Sequence, residues 1–84
     1  MTIEQIEKFI QRPPYSSGSQ VKISFKTRAA VEGIFIQGSD YSELRGKNFW
    51  RIVTAKYMDN YTDAKDINFS RIFNGAEFTK IALK

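Results

Sequence analysis

Hydrophobic positions along this chain change period once, near residue 20. Before that point Ile3, Ile6, Phe9 and Ile10 recur at spacings of three and four, one face of a helix, with Glu4, Glu7 and Lys8 elsewhere. Thr2 is placed to cap this helix, and Gln5 three residues later completes a capping box, which predicts a helix over residues 2–10. Pro13-Pro14 stops it, and residues 11–20 form a connector that includes Tyr15-Ser16-Ser17-Gly18-Ser19. The apolar stripe of the helix needs cover from the rest of the domain or from a neighbour.

From Val21 the period is two. Val21, Ile23 and Phe25 alternate with Lys22, Ser24 and Lys26, the mark of a half-buried strand. A second strand runs from about Ala29 to Gln37, bent at Gly33, because a glycine inside a strand marks a bend or a close backbone approach. Polar residues 38–47 read as a loop, Phe49 to Lys56 as a third strand, and Met58 to Lys65 as a second loop. Ile67 to Ile81 reads as two strands reversed at Asn74-Gly75, since Asn and Gly tolerate positive φ. A small, strongly curved β-barrel produces both the bent strand and this hairpin.

Composition narrows the chemistry. Eighty-four residues make one domain, which buries roughly 60% of its unfolded surface, so association between copies is a natural source of extra stability. Hydrophobic content of 42%, with seven Phe, four Tyr and one Trp, is that of a folded chain. The chain has neither cysteine nor histidine, which removes disulfides, thiolate nucleophiles and the commonest general base and metal ligand. The expectation is a protein that is not an enzyme, with no catalytic residue, no cofactor and no metal. Asp59, Asp63 and Asp66 depart from the EF-hand pattern. Glu4 and Glu7 interrupt the only apolar N-terminal run, and no segment approaches the ~20 apolar residues that span a bilayer. A soluble cytoplasmic protein without a membrane partner is therefore expected. The net charge of +4 is a mild basic bias that fits a nucleic acid or an acidic partner.

A helix followed by five strands, the second bent at a glycine, resembles the Sm-like family of small barrels. The resemblance covers Thr2 to Leu83 and rests on two segments. The first is Val31-Glu32-Gly33-Ile34-Phe35-Ile36, then Asp40, then Asn48 before Phe49; the second is Ile72-Phe73-Asn74-Gly75-Ala76-Glu77-Phe78-Thr79-Lys80-Ile81. The loop from Asp40 to Asn48 is longer than the family's compact version. The resemblance implies a mainly β fold: a helix over 2–10, a connector over 11–20 and a five-stranded, strongly bent SH3-like or Sm-like barrel over 21–83. It also implies an oligomeric ring that binds single-stranded RNA, with bases near Asp40, Tyr41, Asn48, Phe49, Asn74 and Gly75. An Asn can bond a base edge and an aromatic ring offers a stacking face. The same residues also read as a turn, a core ring and a hairpin.

The residues themselves add two basic groups. Arg45, Lys47 and Arg51 lie among Tyr41, Phe49 and Trp50, and basic residues interleaved with aromatics are the footprint of a single-strand surface. Lys22, Lys26 and Arg28 make a second basic edge; the alternative for both groups is a solvated strand face. Trp50 and Ile52 on one face of the third strand, with Phe49, Arg51 and Val53 on the other, leave both faces apolar. That points to Trp50 and Ile52 as a subunit interface, unless Ile3, Ile6 and Ile10 cover them. A second function fits the same fold: a protein-interaction module whose Tyr41, Trp50, Tyr57 and Tyr61 receive a peptide or partner domain.

Overall fold

The computed structural model describes residues 1–84. Helix α1 spans Ile3–Gln11 and begins as its sequence demands. The Gln5 amide donates to Thr2 Oγ1 at 3.2 Å, and the Thr2 amide donates to Gln5 Oε1 at 2.9 Å. Arg12, forced out of helical geometry by the proline that follows, is extended and ends the helix. Ile6 is fully buried, flanked by the partly buried Ile3, Phe9 and Ile10, so the stripe is covered by this same chain.

Five antiparallel strands follow: β1 Val21–Phe25, β2 Val31–Ile36, β3 Phe49–Thr54, β4 Arg71–Asn74 and β5 Phe78–Leu83. Their order in the sheet is β4-β3-β2-β1-β5. The expected Asn-Gly hairpin is therefore not formed. β4 pairs with β3, β5 pairs with β1, and residues 75–77 between them are a 3-10 turn. Asn74 is extended, with its Oδ1 accepting from the Ala76 amide at 2.9 Å, and Gly75 does not use positive φ. The glycine is there for space, as the site below shows.

No ladder joins β4 to β5, so the sheet is not closed into a barrel. Its curl is nevertheless strong enough that the Phe25 ring packs on both Phe73 of β4, at 5.7 Å, and Phe78 of β5, at 5.1 Å. Two features produce the curl. A Cβ on Gly33 would strike the Val53 carbonyl, so only glycine lets β2 bend this close to β3. Between β1 and β5 the register shifts at Ser24/Phe25, a bulge that increases local twist.

One core fills the concave face: Ile6, Val21, Ile23, Phe35, Trp50, Ile52, Phe73, Phe78 and Ile81. Trp50 is 2% exposed and Ile52 not at all, which corrects their reading as a subunit interface. Burial beneath α1 explains the apolar pattern on their side of β3. Val53, on the opposite side of β3, is also fully buried. The two expected loops are corrected in part to short helices: α2 over Tyr41–Gly46, and α3 over Met58–Ala64, which packs against β3. Lys65 closes α3 in the left-handed conformation, its N–H donating to the Tyr61 carbonyl at 2.7 Å. No helix is long and apolar enough to cross a membrane.

Candidate functional site

The fold brings together the two segments that carry the family resemblance. Asn48 sits at the start of β3 with φ 62°, a left-handed conformation that Asn adopts more readily than most residues. Its carbonyl accepts from the Gly75 amide at 2.8 Å, its Oδ1 from Trp50 Nε1 at 2.7 Å, and its Nδ2 donates to the Met1 carbonyl at 3.0 Å. Gly75 is buried in the middle of this knot. A Cβ there would fall 2.7 Å from both Trp50 Nε1 and the Ile6 Cδ1, and closer still to Asn48 Oδ1. Asn48 and Gly75 thus spend their polar groups and free space on Met1, Trp50 and each other, which leaves neither in position to read a base; the exposed Asn74 uses its Oδ1 to hold the Ala76 amide.

The nearby basic residues are matched in the same way. Arg51 holds Asp40 with two bonds, Nε to Oδ1 at 3.1 Å and Nη2 to Oδ2 at 2.7 Å, and reaches Ser70 Oγ at 3.2 Å. The hydrogen bonds from Arg51 hold the Asp40 carboxyl below its usual range, and the same bonds raise Arg51. Arg45 reaches Glu7 of α1 at 2.7 Å, and Lys47 lies 4.0 Å from Glu43 one helical turn away. Each of these cations faces a carboxylate, so this end of the sheet offers no positive track for phosphate. Tyr41 packs on Trp50 at 6.2 Å between centroids, and Phe49 is half-buried opposite Asn74. Of the nucleic-acid footprint expected from Arg45, Lys47 and Arg51, the two arginines are held in close ion pairs, while Lys47 stays exposed beside Glu43.

Unmatched charge lies elsewhere. Arg28, in the β1–β2 connection, sets its guanidinium carbon 5.3 Å from the Phe25 ring centre and 5.4 Å from that of Phe73. Arg71, at the start of β4, approaches the same Phe73 ring at 6.0 Å. Neither arginine has an ion-pair partner. Arg71 also lines a shallow pocket of about 310 Å³ with Tyr57, Asn68 and Phe69. In it the Tyr57 and Phe69 rings are stacked, 6.3 Å apart and 30° between planes, with Lys56 Nζ 5.4 Å from the Tyr57 ring centre. Lys26 stands beside Arg28 in sequence and is exposed. The carboxylates bordering this surface are Asp66, which accepts from the Asn68 amide, and Glu77, whose carbonyl accepts from the Lys26 amide.

Sequence reasoning had Lys26 and Arg28 as a basic edge and Tyr57 as a partner-binding ring; it missed Lys56, Phe69 and Arg71. The local signal was slight, one Arg in the β1–β2 connection and one at the first position of β4. Only the β1–β5 and β3–β4 pairings put those arginines on one ring. Of the four aromatics expected to receive a peptide, Tyr41, Trp50 and Tyr61 line a separate groove and Tyr57 belongs to the stacked pair. The peptide surface is therefore not continuous. No protein-family model, curated protein or solved structure matches the chain.

Proposed function

We propose that this protein is a non-catalytic, Sm-like binder of single-stranded RNA, working in the cytoplasm, and that the strand lies across Arg28, Arg71 and the Tyr57–Phe69 stack. The observation that carries the reading is the pair of arginines, both without a carboxylate and both against the one Phe73 ring. Phe73, itself buried, holds the two cations in place with their charge free for phosphates, and the half-buried Tyr57 and Phe69 beside Arg71 offer ring faces for bases, the combination single strands require. The Sm-like reading of the fold is supported by the bent β2, the return of β5 to β1 and the short turn between β4 and β5.

The same reading includes self-association into a ring. β4 and β5 each leave one edge unpaired, and the two exposed large apolar residues, Ile72 at 48% and Leu83 at 37%, sit one on each of them. Joining a β4 edge to a β5 edge is a head-to-tail contact, which closes when the rotation per copy divides the circle. A ring also multiplies the arginine surface along one strand of RNA.

Anisotropy of labelled oligo-U and oligo-A measured across a salt series tests the RNA reading. Contact of Lys26, Arg28, Lys56 and Arg71 with about four phosphates gives a salt slope of about 2.8, so affinity drops about 50-fold between about 50 and 200 mM salt. Absence of binding to either oligonucleotide at the low end of that series overturns the proposal. Light scattering on nuclease-treated protein checks the ring: a mass of several copies supports it, and a monomer removes it.

A further inference from the structure

A second cavity has a different chemistry and shares no residue with the arginine surface. It holds about 470 Å³ between the end of α1, the Tyr15–Gly18 connector, β2 and α3. Tyr15, Phe35, Trp50 and Tyr41, in that order, form its wall in an edge-to-face series, with ring centres 6.5, 6.2 and 6.2 Å apart. Tyr61 stands on the α3 side, and Lys65 Nζ hangs 5.7 Å from its ring centre. Lys65 is the only charged residue in the lining and forms no ion pair. Its left-handed backbone turns the chain at this point and closes α3.

The polar groups in the lining are also free. The Tyr15, Tyr41 and Tyr61 hydroxyls, Ser17 Oγ and the Gln37 amide make no hydrogen bond within the protein. Burial, and then the neighbouring Tyr41, raises the Tyr15 phenol above its ordinary value; burial, and then the charge of Glu7, does so for Tyr41. Both phenols therefore remain protonated donors at neutral pH. Beyond the rim lies the Glu7–Arg45 pair, already neutral as a unit. Pockets of this size suit small ligands, and a few placed polar groups in an aromatic wall set the ligand's class.

We propose that this cavity binds a small planar aromatic carboxylate, its ring set against Tyr15 and Tyr41, the half-buried ends of the edge-to-face series, and its carboxylate on Lys65. One unpaired ammonium matches one negative charge. A ring entering the series continues a geometry that aromatic groups favour over face-to-face stacking. A charge-assisted bond to Lys65 is stronger than the bond a neutral amide would make there. A dianionic phosphate would bring a second charge that no further lining cation balances. The proposal is independent of the RNA reading, because the two sites have no lining residue in common.

The test is a titration of the full chain with indole-3-acetate and, separately, with indole-3-acetamide, followed by backbone amide shifts in two-dimensional NMR. The expected result is saturable shifts at Ile34, Phe35, Ile36, Tyr41 and Tyr61, with the carboxylate bound about tenfold more tightly than the amide. Lys65→Gln brings the carboxylate down to the amide's affinity, and Ser17→Trp, an exposed connector position, fills the cavity and removes both. Equal affinities, an unchanged Lys65→Gln, shifts centred on Tyr57 and Phe69, or no saturation at all would each overturn the assignment. Repeating the titration with oligo-U present separates the two sites: groove shifts persist whether or not RNA binds.

Discussion

The Asn48–Gly75 knot and the Arg28–Arg71 surface use the same kinds of residue to opposite ends. At the knot and beside it, polar and charged groups have partners: Asn48 with Trp50 and Gly75, Arg51 with Asp40, Arg45 with Glu7. At the surface, two arginines rest on aromatic rings with no counter-charge. A guanidinium bonded to a carboxylate has little field left for a ligand, whereas one lying on a ring keeps its donors free. The difference teaches that a basic residue near an aromatic one means little until its carboxylate partners are known.

The comparison breaks most visibly at Trp50. Trp50→Ala should cost about 3–5 kcal/mol, because it empties the centre of the core and strips Asn48 Oδ1 of its donor. Chemical denaturation measures this directly, and a loss under 1 kcal/mol would mean the knot is not the structural centre. Asn48→Ala should cost about 2 kcal/mol, through two lost side-chain bonds and a left-handed backbone that Ala resists. Its RNA affinity, measured where the variant is still folded, should equal that of the parent; a selective loss would return the binding role to the knot.

The surface should respond the other way round. Arg28→Gln and Arg71→Gln should each lower the salt slope of RNA binding by about 0.7 and change stability by no more than about 0.5 kcal/mol. Parent-like slopes in both variants would show the two arginines to be bystanders. The smallest effect is expected at Asp40. Its carboxyl titrates lower in the folded chain than in the unfolded one, so its contribution is present above the ordinary Asp value and is lost as pH falls through the lowered one. Asp40→Asn should therefore lower the neutral plateau slightly, flatten the acid limb and meet the parent curve at low pH.

Local chemistry was legible in the sequence where a few adjacent residues decide the outcome. Thr2 with Gln5 announced the start of α1, Pro13-Pro14 its end, and the Val21–Ile23–Phe25 alternation the first strand. Gly33 was readable as a close approach, although its partner, the Val53 carbonyl, was not. α2 and α3 stayed hidden because six or seven residues, mostly polar and with no buried member, are too short to show an amphipathic period. Asn74-Gly75 misled because one dipeptide serves two purposes: positive φ in a hairpin, or bare space under a tryptophan. The ion pairs of Arg51 and Arg45 and the shared Phe73 ring depend on distant strands meeting, which no local pattern encodes.

The pairing of β1 with β5 also sets an order in time. β1 forms among the first elements, yet one of its edges has no partner until residues 78–83 arrive. On a ribosome adding roughly 5–20 residues per second, that edge waits several seconds while β2, β3 and β4 assemble on the other side. The pairing that completes the sheet is thus also the one most distant along the chain, which makes folding slow for so small a domain. Lys22 within the waiting strand and Lys26 just past its end carry charge that discourages a neighbouring nascent chain from taking the place meant for β5.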